Sequence, residues 1–226
     1  MNEELYSMRH SLAHIMADAI QRKWPEAKFG VGPVVSDGFY YDVDLGGDNA
    51  ISTDNFAALE KEMRKIIAAN APFVKSEKTI KEAIAWANKG KQPYKEELLN
   101  DLQRSGTTEL KNLDSNELGL ASKTSKVSKV TFYTNDTFED LCRGPHVEKT
   151  GDVGAFKLTK VAGAYWRGQE DKPQMQRIYG VAFAKQSELD DYLAMLEDAK
   201  RRDHRKIGQE IDLFVFSDLV GQGLPL

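Results

Sequence analysis

The apolar pattern of the first 45 residues changes period with almost no linker between, which commits the chain to a fold in which helices pack on hairpins. Leu5, Met8, Leu12, Ile15, Met16, Ala19 and Ile20 recur at spacings of three and four and predict a helix over residues 4–23. Pro25 ends it. The stretch KFGVGPVVSDGFYYDVDL that follows holds two β-rich runs around Ser36-Asp37-Gly38, where an Asp-Gly pair offers the φ > 0 geometry of a tight hairpin turn.

The same reading carries through the rest of the chain. Gly46 and Gly47 open a loop, and Ser52-Thr53-Asp54 offer N-caps for a helix carrying Leu59, Met63, Ile66 and Ile67. PFVKSEKT reads as a short strand. Helices are predicted over 80–88 and 94–103, the second just after Pro93, whose missing N–H suits a first helical turn. Residues 105–129 are rich in Ser, Thr, Asn, Gly and Lys without a period and read as a long excursion. VTFYT, AFKLTKVAGAYW and QMQRIYGVAFA alternate apolar with polar positions, and the last two, split by Arg167-Gly168 and Pro173, are expected to pair antiparallel. Ser187 with Asp190 resembles a capping box ahead of a final helix striped by Leu189, Tyr192, Leu193 and Leu196. The expected class is α+β, a mostly antiparallel sheet with packed helices followed by a long linker helix, not a doubly wound parallel sheet.

Composition narrows the class of function. The 226 residues carry a net charge of −4, so any nucleic-acid contact must come from a local basic surface. No apolar run approaches the roughly 20 residues of a membrane helix, and the start MNEELYSMRHSLAH lacks the basic-then-apolar order of a signal peptide. The single cysteine, Cys142, has no internal disulfide partner, which fits a reducing, cytoplasmic setting.

Two pairs of residues can do chemistry. His10 and His14 lie one helical turn apart on one face, and at about 100° per residue that face points away from the Leu5–Ile15 stripe, which predicts solvent-facing histidines. Cys142-Arg143-Gly144-Pro145-His146 contains Gly and Pro, so a tight loop presents its thiol and imidazole. The four residues are open to three readings: a zinc site, a thiolate nucleophile with a histidine base, or a metal-free pocket that positions water. Asp140, two residues before the thiol, is either the acid that orients a histidine or a turn residue bonding its own backbone. GVGP at 30–33 and Gly46-Gly47 lack the spacing of a phosphate loop. Phe39-Tyr40-Tyr41 and Tyr165-Trp166 read as sheet core, with base stacking as the sharper alternative. Lys200, Arg201, Arg202, His204, Arg205 and Lys206 form the densest basic patch, either a solvated helix end or a phosphate contact. Lys95 alone reads as a surface charge.

MRHSLAHIMADAI, GPVVSDGFYYDVDL, DLCRGPHV, KLTKVAGAYWRG, QMQRIYGVAFA and AKRRDHRKIGQEIDLF occur in order over nearly the whole chain and resemble the threonyl-tRNA synthetase family. The paired HxxxH and CxxxH are shared with alanyl-enzyme editing domains, whereas CRGPH with AGAYWRG is similar to the threonyl branch. The resemblance implies an editing domain over 1–185, a linker helix over 186–212 and, over 213–226, the start of a connection to an aminoacylation domain outside this chain. A small ubiquitin-like domain often precedes the HxxxH helix in this family, so the resemblance also implies a piece of a longer chain.

The implied activity is hydrolysis of serine wrongly esterified to threonine tRNA, with His10, His14, Lys95, Asp140, Cys142 and His146 as the site. His10 and Lys95 position or activate water, and Tyr40 and Tyr41 form pocket walls. Arg201, Arg202 and Arg205 are implied tRNA contacts. The expected partners are the acceptor end of threonine tRNA and the rest of a homodimeric synthetase, with no membrane. No cofactor is expected to be required for editing: zinc at His10, His14, Cys142 and His146 is the disfavoured alternative, and ATP, magnesium and a catalytic zinc belong to the remainder of the enzyme. The rival readings are a freestanding zinc-dependent deacylase of the alanyl type and a non-catalytic tRNA-docking module.

Overall fold

The computed structural model describes residues 2–47, 49–105, 127–203, 207–208 and 211. It divides into two compact units, 1–184 and 185–226. The expected excursion at 105–129 lies almost entirely outside the described residues, as does the segment 213–226.

In the first unit, α1 (Glu3–Lys23) starts where Asn2 accepts the backbone N–H of Glu4 and ends just before Pro25. β1 (Lys28–Phe29), β2 (Val34–Val35) and β3 (Gly38–Asp44) follow. β2 and β3 form the expected hairpin, with Val35 opposite Gly38. The turn is not the φ > 0 type that Asp-Gly offers, because Gly38 has no positive φ. Gly38 is there for a different reason: a Cβ would fall 1.9 Å from the carbonyl oxygen of Gly180 on the antiparallel neighbouring strand.

A 3-10 turn (Thr53–Asn55) capped by Ser52 leads into α2 (Phe56–Ala69). β4 (Phe73–Thr79), α3 (Ile80–Lys89) and α4 (Pro93–Ser105) come next, with Thr79 and Glu82 closing a capping box on α3. β5 (Lys129–Asn135), β6 (Phe138–Leu141), β7 (Ala155–Tyr165) and β8 (Gln174–Phe183) complete the unit. One sheet has the order β1-β3-β8-β7 with β2 on β3, the other β4-β5-β6, and every pairing is antiparallel. The α+β expectation stands.

Two cores result. α1, α2 and the inner face of the larger sheet enclose Leu12, Ile15, Met16, Phe39, Tyr41, Leu59, Met63 and Ile178. α3 and α4 cover the smaller sheet through Ala83, Leu99, Phe132 and Leu141. A third cluster, Tyr94, Leu98, Trp166 and Met175, ties α4 to the β7–β8 end. α4 therefore touches both sheets, and its first turn enters the space between them.

Three further expectations change. β6 is a strand, so Asp140 is a sheet residue and not a turn residue. α1 is buried almost all round, so His14 is 2% exposed instead of facing solvent. The face that the helical pattern gives to water is covered by the 142–147 loop, where Val147 donates to Ser11 Oγ at 3.0 Å. In the second unit, α5 (Gln186–Arg201) starts one residue before Ser187: Lys185 N–H donates to Glu188, and Ser187 and Asp190 both lie within the helix. Arg202 is its C-cap, and residues 207–208 are again helical.

Candidate active site

Tyr6, His10 and His14 stand at successive fours on α1 and all line one cavity, with neighbouring ring centroids 5.8 and 5.2 Å apart. The 142–146 loop closes over them. Gly144 has φ +76°, and a Cβ there would lie 2.5 Å from the Tyr133 hydroxyl, so both backbone and space require glycine.

The partners fix the protons of this group. Pro145 C=O can only accept, so His10 donates from Nδ1 at 3.2 Å and its Nε2 carries a lone pair. The one Cys142 proton goes to His10 Nε2, so His146 donates from Nε2 to the sulfur and its Nδ1 accepts from Ser11 Oγ at 3.1 Å, while that oxygen accepts from Val147 N–H. Cys142 Sγ sits 3.3 Å from both Nε2 atoms. It donates to His10, accepts from His146 and also accepts from Gly144 N–H at 3.3 Å. The set closes on itself with neutral groups only.

Opposite stands a charged trio. Lys95, in the first turn of α4, donates to Asp140 Oδ1 at 2.7 Å and to the Tyr41 hydroxyl at 3.1 Å, and Tyr41 donates to Asp140 Oδ2. Both side chains of the ion pair are only 4% exposed. Several contacts hold α4 in place: Tyr94 donates to Asp44 at 2.7 Å, Trp166 Nε1 to Glu97 at 3.1 Å, and Arg167 pairs with Asp101 at 2.5 Å. AGAYWRG thus braces the helix that carries Lys95. His14 Nε2 lies 4.0 Å from Asp140 Oδ2 and links the two groups.

Burial sets the protonation. It lowers His10 to about 4, against a smaller upward pull from the Pro145 carbonyl. His14 and His146 are held well below the usual imidazole range, first by burial and then by the neighbouring imidazoles, with Lys95 adding to the effect on His14. The Cys142 thiol is pushed up to about 12, chiefly by burial. Tyr41 is raised by burial and by Asp140. At neutral pH the site presents neutral imidazoles and a thiol, a poor setting for a thiolate nucleophile. Asp140 does not orient a histidine toward the thiol; it is engaged by Lys95 and Tyr41.

The donor set also suits zinc. One ligand atom each from His10, His14, Cys142 and His146 all lie within 4.8 Å of one another, and His14 Nδ1 is buried without a hydrogen-bond partner.

The structure brings together all six of His10, His14, Lys95, Asp140, Cys142 and His146, with Tyr41. Tyr40 is turned away: adjacent residues of β3 face opposite sides, and Tyr40 packs under Arg177 and against Tyr179. Arg201 and Arg202 belong to the second unit and pair with Asp198, and Arg205 lies outside the described residues. The sequence reading missed Tyr6, Ser11, Gly32 and Arg143. Tyr6 was available from its spacing of four to His10; the others had no local signal.

The family described as Threonyl and Alanyl tRNA synthetase second additional domain matches residues 130–179, from β5 into β8 and across Asp140, Cys142 and His146. The chain thus contains a second additional domain of the threonyl and alanyl synthetase type. The relatives to which nearly the whole chain is similar are threonine–tRNA ligases. The chain is 46% identical over 223 residues to the Threonine--tRNA ligase of Desulfosudis oleivorans, covering 99% of this chain and 30% of that protein. It is 45% identical over 224 residues to Threonine--tRNA ligase 1 of Bacillus subtilis and 44% identical over 226 residues to that of Anoxybacillus flavithermus, covering 99% and 100% of this chain and 31% of each relative. The chain spans about a third of the length of these relatives. Among the described residues no helix is long and apolar enough to cross a membrane.

Proposed function

We propose that this chain is the editing part of a cytoplasmic threonyl-tRNA synthetase and hydrolyses the ester of serine attached to threonine tRNA. The observation that carries the reading is the buried Lys95–Asp140–Tyr41 trio facing the neutral His10–Cys142–His146 set across one cavity. A cavity with neutral imidazoles and a thiol on one side and an ammonium on the other suits attack of water on a carbonyl. The biological need follows from chemistry: serine differs from threonine by one methyl, which a synthetic site discriminates by only about 1–3 kcal/mol, so a second sieve is required.

In this reading the water takes the place of the Cys142 S–H at His10 Nε2, which accepts its hydrogen bond and aims its oxygen at the ester carbon. The ammonium of Lys95, fixed by Asp140, stabilises the oxyanion that develops there. An imidazole held near 4 stays unprotonated at neutral pH but is a weak base, so positioning and charge stabilisation carry more of the rate than proton abstraction. The water oxygen bonds to the carbonyl carbon and the carbon–ribose oxygen bond breaks. The ribose oxygen takes one water proton, and serine leaves as a carboxylate, releasing the other. Tyr41 holds Asp140, and the threonine-tRNA acceptor end is the partner. The dimerisation and aminoacylation of the larger enzyme lie outside this chain.

Zinc is not required in this reading, because His10, Cys142 and His146 bond one another and Lys95 supplies the positive charge. Bound zinc would be held by ligands from the set His10, His14, Cys142 and His146 and, with a position left open, would supply Lewis-acid activation of water. The test is hydrolysis of serine-charged and threonine-charged threonine tRNA, with and without chelator. Serine-selective release that survives chelation supports the proposal. Chelator-sensitive release replaces it with a zinc deacylase, and binding without release replaces it with a docking module.

A further inference from the structure

Arg143 stands apart from the other described arginines. Those on α1 beyond Arg9, on α2, α4, β8 and α5, and at the β7–β8 turn all end on a carboxylate, and Arg9 donates to the carbonyl oxygens of Ser36 and Ala182. The Arg143 side chain has no partner among the described residues, is exposed, and lines the mouth of the cavity. The chain has 35 acids against 31 bases, so an arginine left without an acid is against the trend of its surface.

Its surroundings make it more than a solvated side chain. The backbone amides of Arg143 and Gly144 bond Cys142, so the residue springs from a fixed point of the site and not from a loose loop. Among the described lining residues Asp140 is the one acid, and Lys95 and Tyr41 already engage it. The lining therefore carries one net positive charge, located at Arg143. The reacting groups His14, Lys95 and Asp140 are buried and Arg143 is exposed. A ligand with its ester among the buried groups leaves only its next anionic group near the guanidinium. For an amino acid esterified to the last nucleoside of an RNA, that group is the phosphate on the 5′ side of the nucleoside. A guanidinium suits it, since it offers paired N–H donors to two phosphate oxygens.

We infer that Arg143 binds this phosphate, so that the site selects aminoacyl nucleotides over aminoacyl nucleosides. The inference rests on the hydrolase reading above and adds to it a recognition element and a minimal substrate.

Two non-hydrolysable probes test it: 3′-deoxy-3′-(L-seryl)amino-adenosine and its 5′-monophosphate, titrated calorimetrically against the 226-residue protein. The monophosphate should bind about tenfold tighter or better, a difference of about 1.4 kcal/mol. Arg143→Ala should reduce that preference below about twofold while leaving nucleoside affinity in place, and Arg143→Lys should keep an intermediate preference because it restores charge without the fork. The preference should shrink as salt rises. With seryl-tRNA, Arg143→Ala should raise KM more than it lowers kcat. Equal binding of both probes by the unaltered protein, or an undiminished preference in Arg143→Ala, overturns the assignment while seryl-tRNA cleavage by the unaltered protein keeps the hydrolase reading. Failure of the unaltered protein to cleave seryl-tRNA removes both.

Discussion

Breaking the Lys95–Asp140 pair should cost more than removing both charges together. The two side chains are 4% exposed and their charged atoms are 2.7 Å apart. At an effective dielectric near 20, unit charges at that distance attract by about 6 kcal/mol, offset by the desolvation of both ions. Lys95→Met leaves Asp140 buried with only Tyr41 to bond it, and Asp140→Leu leaves an ammonium with only the Tyr41 hydroxyl. Each single variant should lose about 3–5 kcal/mol. That is a large share of the roughly 5–15 kcal/mol that holds a domain of this size together. The double variant Lys95→Met with Asp140→Leu should return to within about 2 kcal/mol of the original protein, a coupling of several kcal/mol across the cycle. Urea unfolding followed by tryptophan fluorescence measures all four corners. If the single effects simply add to within about 0.5 kcal/mol, the two groups are not an isolated buried pair and this account of the site is wrong. The same four proteins separate stability from chemistry: the double variant should be folded yet fail to hydrolyse seryl-tRNA.

Other perturbations reach the site by different routes. Gly32→Ala would put a Cβ 2.4 Å from the Tyr41 ring; the ring must shift and its bond to Asp140 with it, so seryl-tRNA hydrolysis should fall by about tenfold or more while the protein loses about 1–3 kcal/mol of stability. Unchanged kinetics would mean that the ring position does not matter. His10 lies near 4 when folded against an ordinary 6.5, and His14 and His146 are lowered too, so the unfolded chain binds more protons below pH 6.5 and stability should drop as pH falls from 6.5 toward about 4. A urea midpoint that stays flat from pH 7 to pH 5 would contradict this burial of neutral imidazoles. With its thiol near 12, Cys142 should react with iodoacetamide at pH 8 on the order of a thousandfold slower than an unstructured cysteine and recover on unfolding. Rapid alkylation of the folded protein would restore the thiolate-nucleophile reading.

Local patterns made some parts of this protein readable. The stripe of Leu5 to Ile20 marks α1, Pro93 marks the first turn of α4, and the alternation of residues 155–165 and 174–183 marks the pair β7 and β8. These features depend on a few neighbours along the chain. What the sequence withholds is what each face meets. Four-residue spacing puts His10 and His14 on one side of α1 but cannot show that the 142–147 loop covers that side. Tyr40 and Tyr41 look equivalent as letters, yet strand alternation permits only one of them to face the cavity, and the rule was available before the structure. β6 is four residues long and carries two acids, so its pairing with β5 outweighs a weak local preference. Asp140 drew attention by its place next to the thiol and Lys95 only by resemblance, because a buried ion pair between residues 45 positions apart leaves no periodic trace.

The site also fixes an order of events while the chain is being made. His10 and Cys142 are 132 positions apart, and β3 is held between β1 and β8, a strand that begins only at Gln174. The α1 histidines therefore leave the ribosome long before the thiol that completes their bonds, and the larger sheet beneath them cannot close until β8 has followed. At about 5–20 residues per second, some 150 residues of further synthesis take roughly 10–30 seconds, during which α1 has neither its covering loop nor a finished sheet to pack on. A nascent chain paused before β8 should consequently expose the apolar stripe of α1 to chaperones, and editing capacity should appear late, in a single step, once the last strand of the sheet is in place.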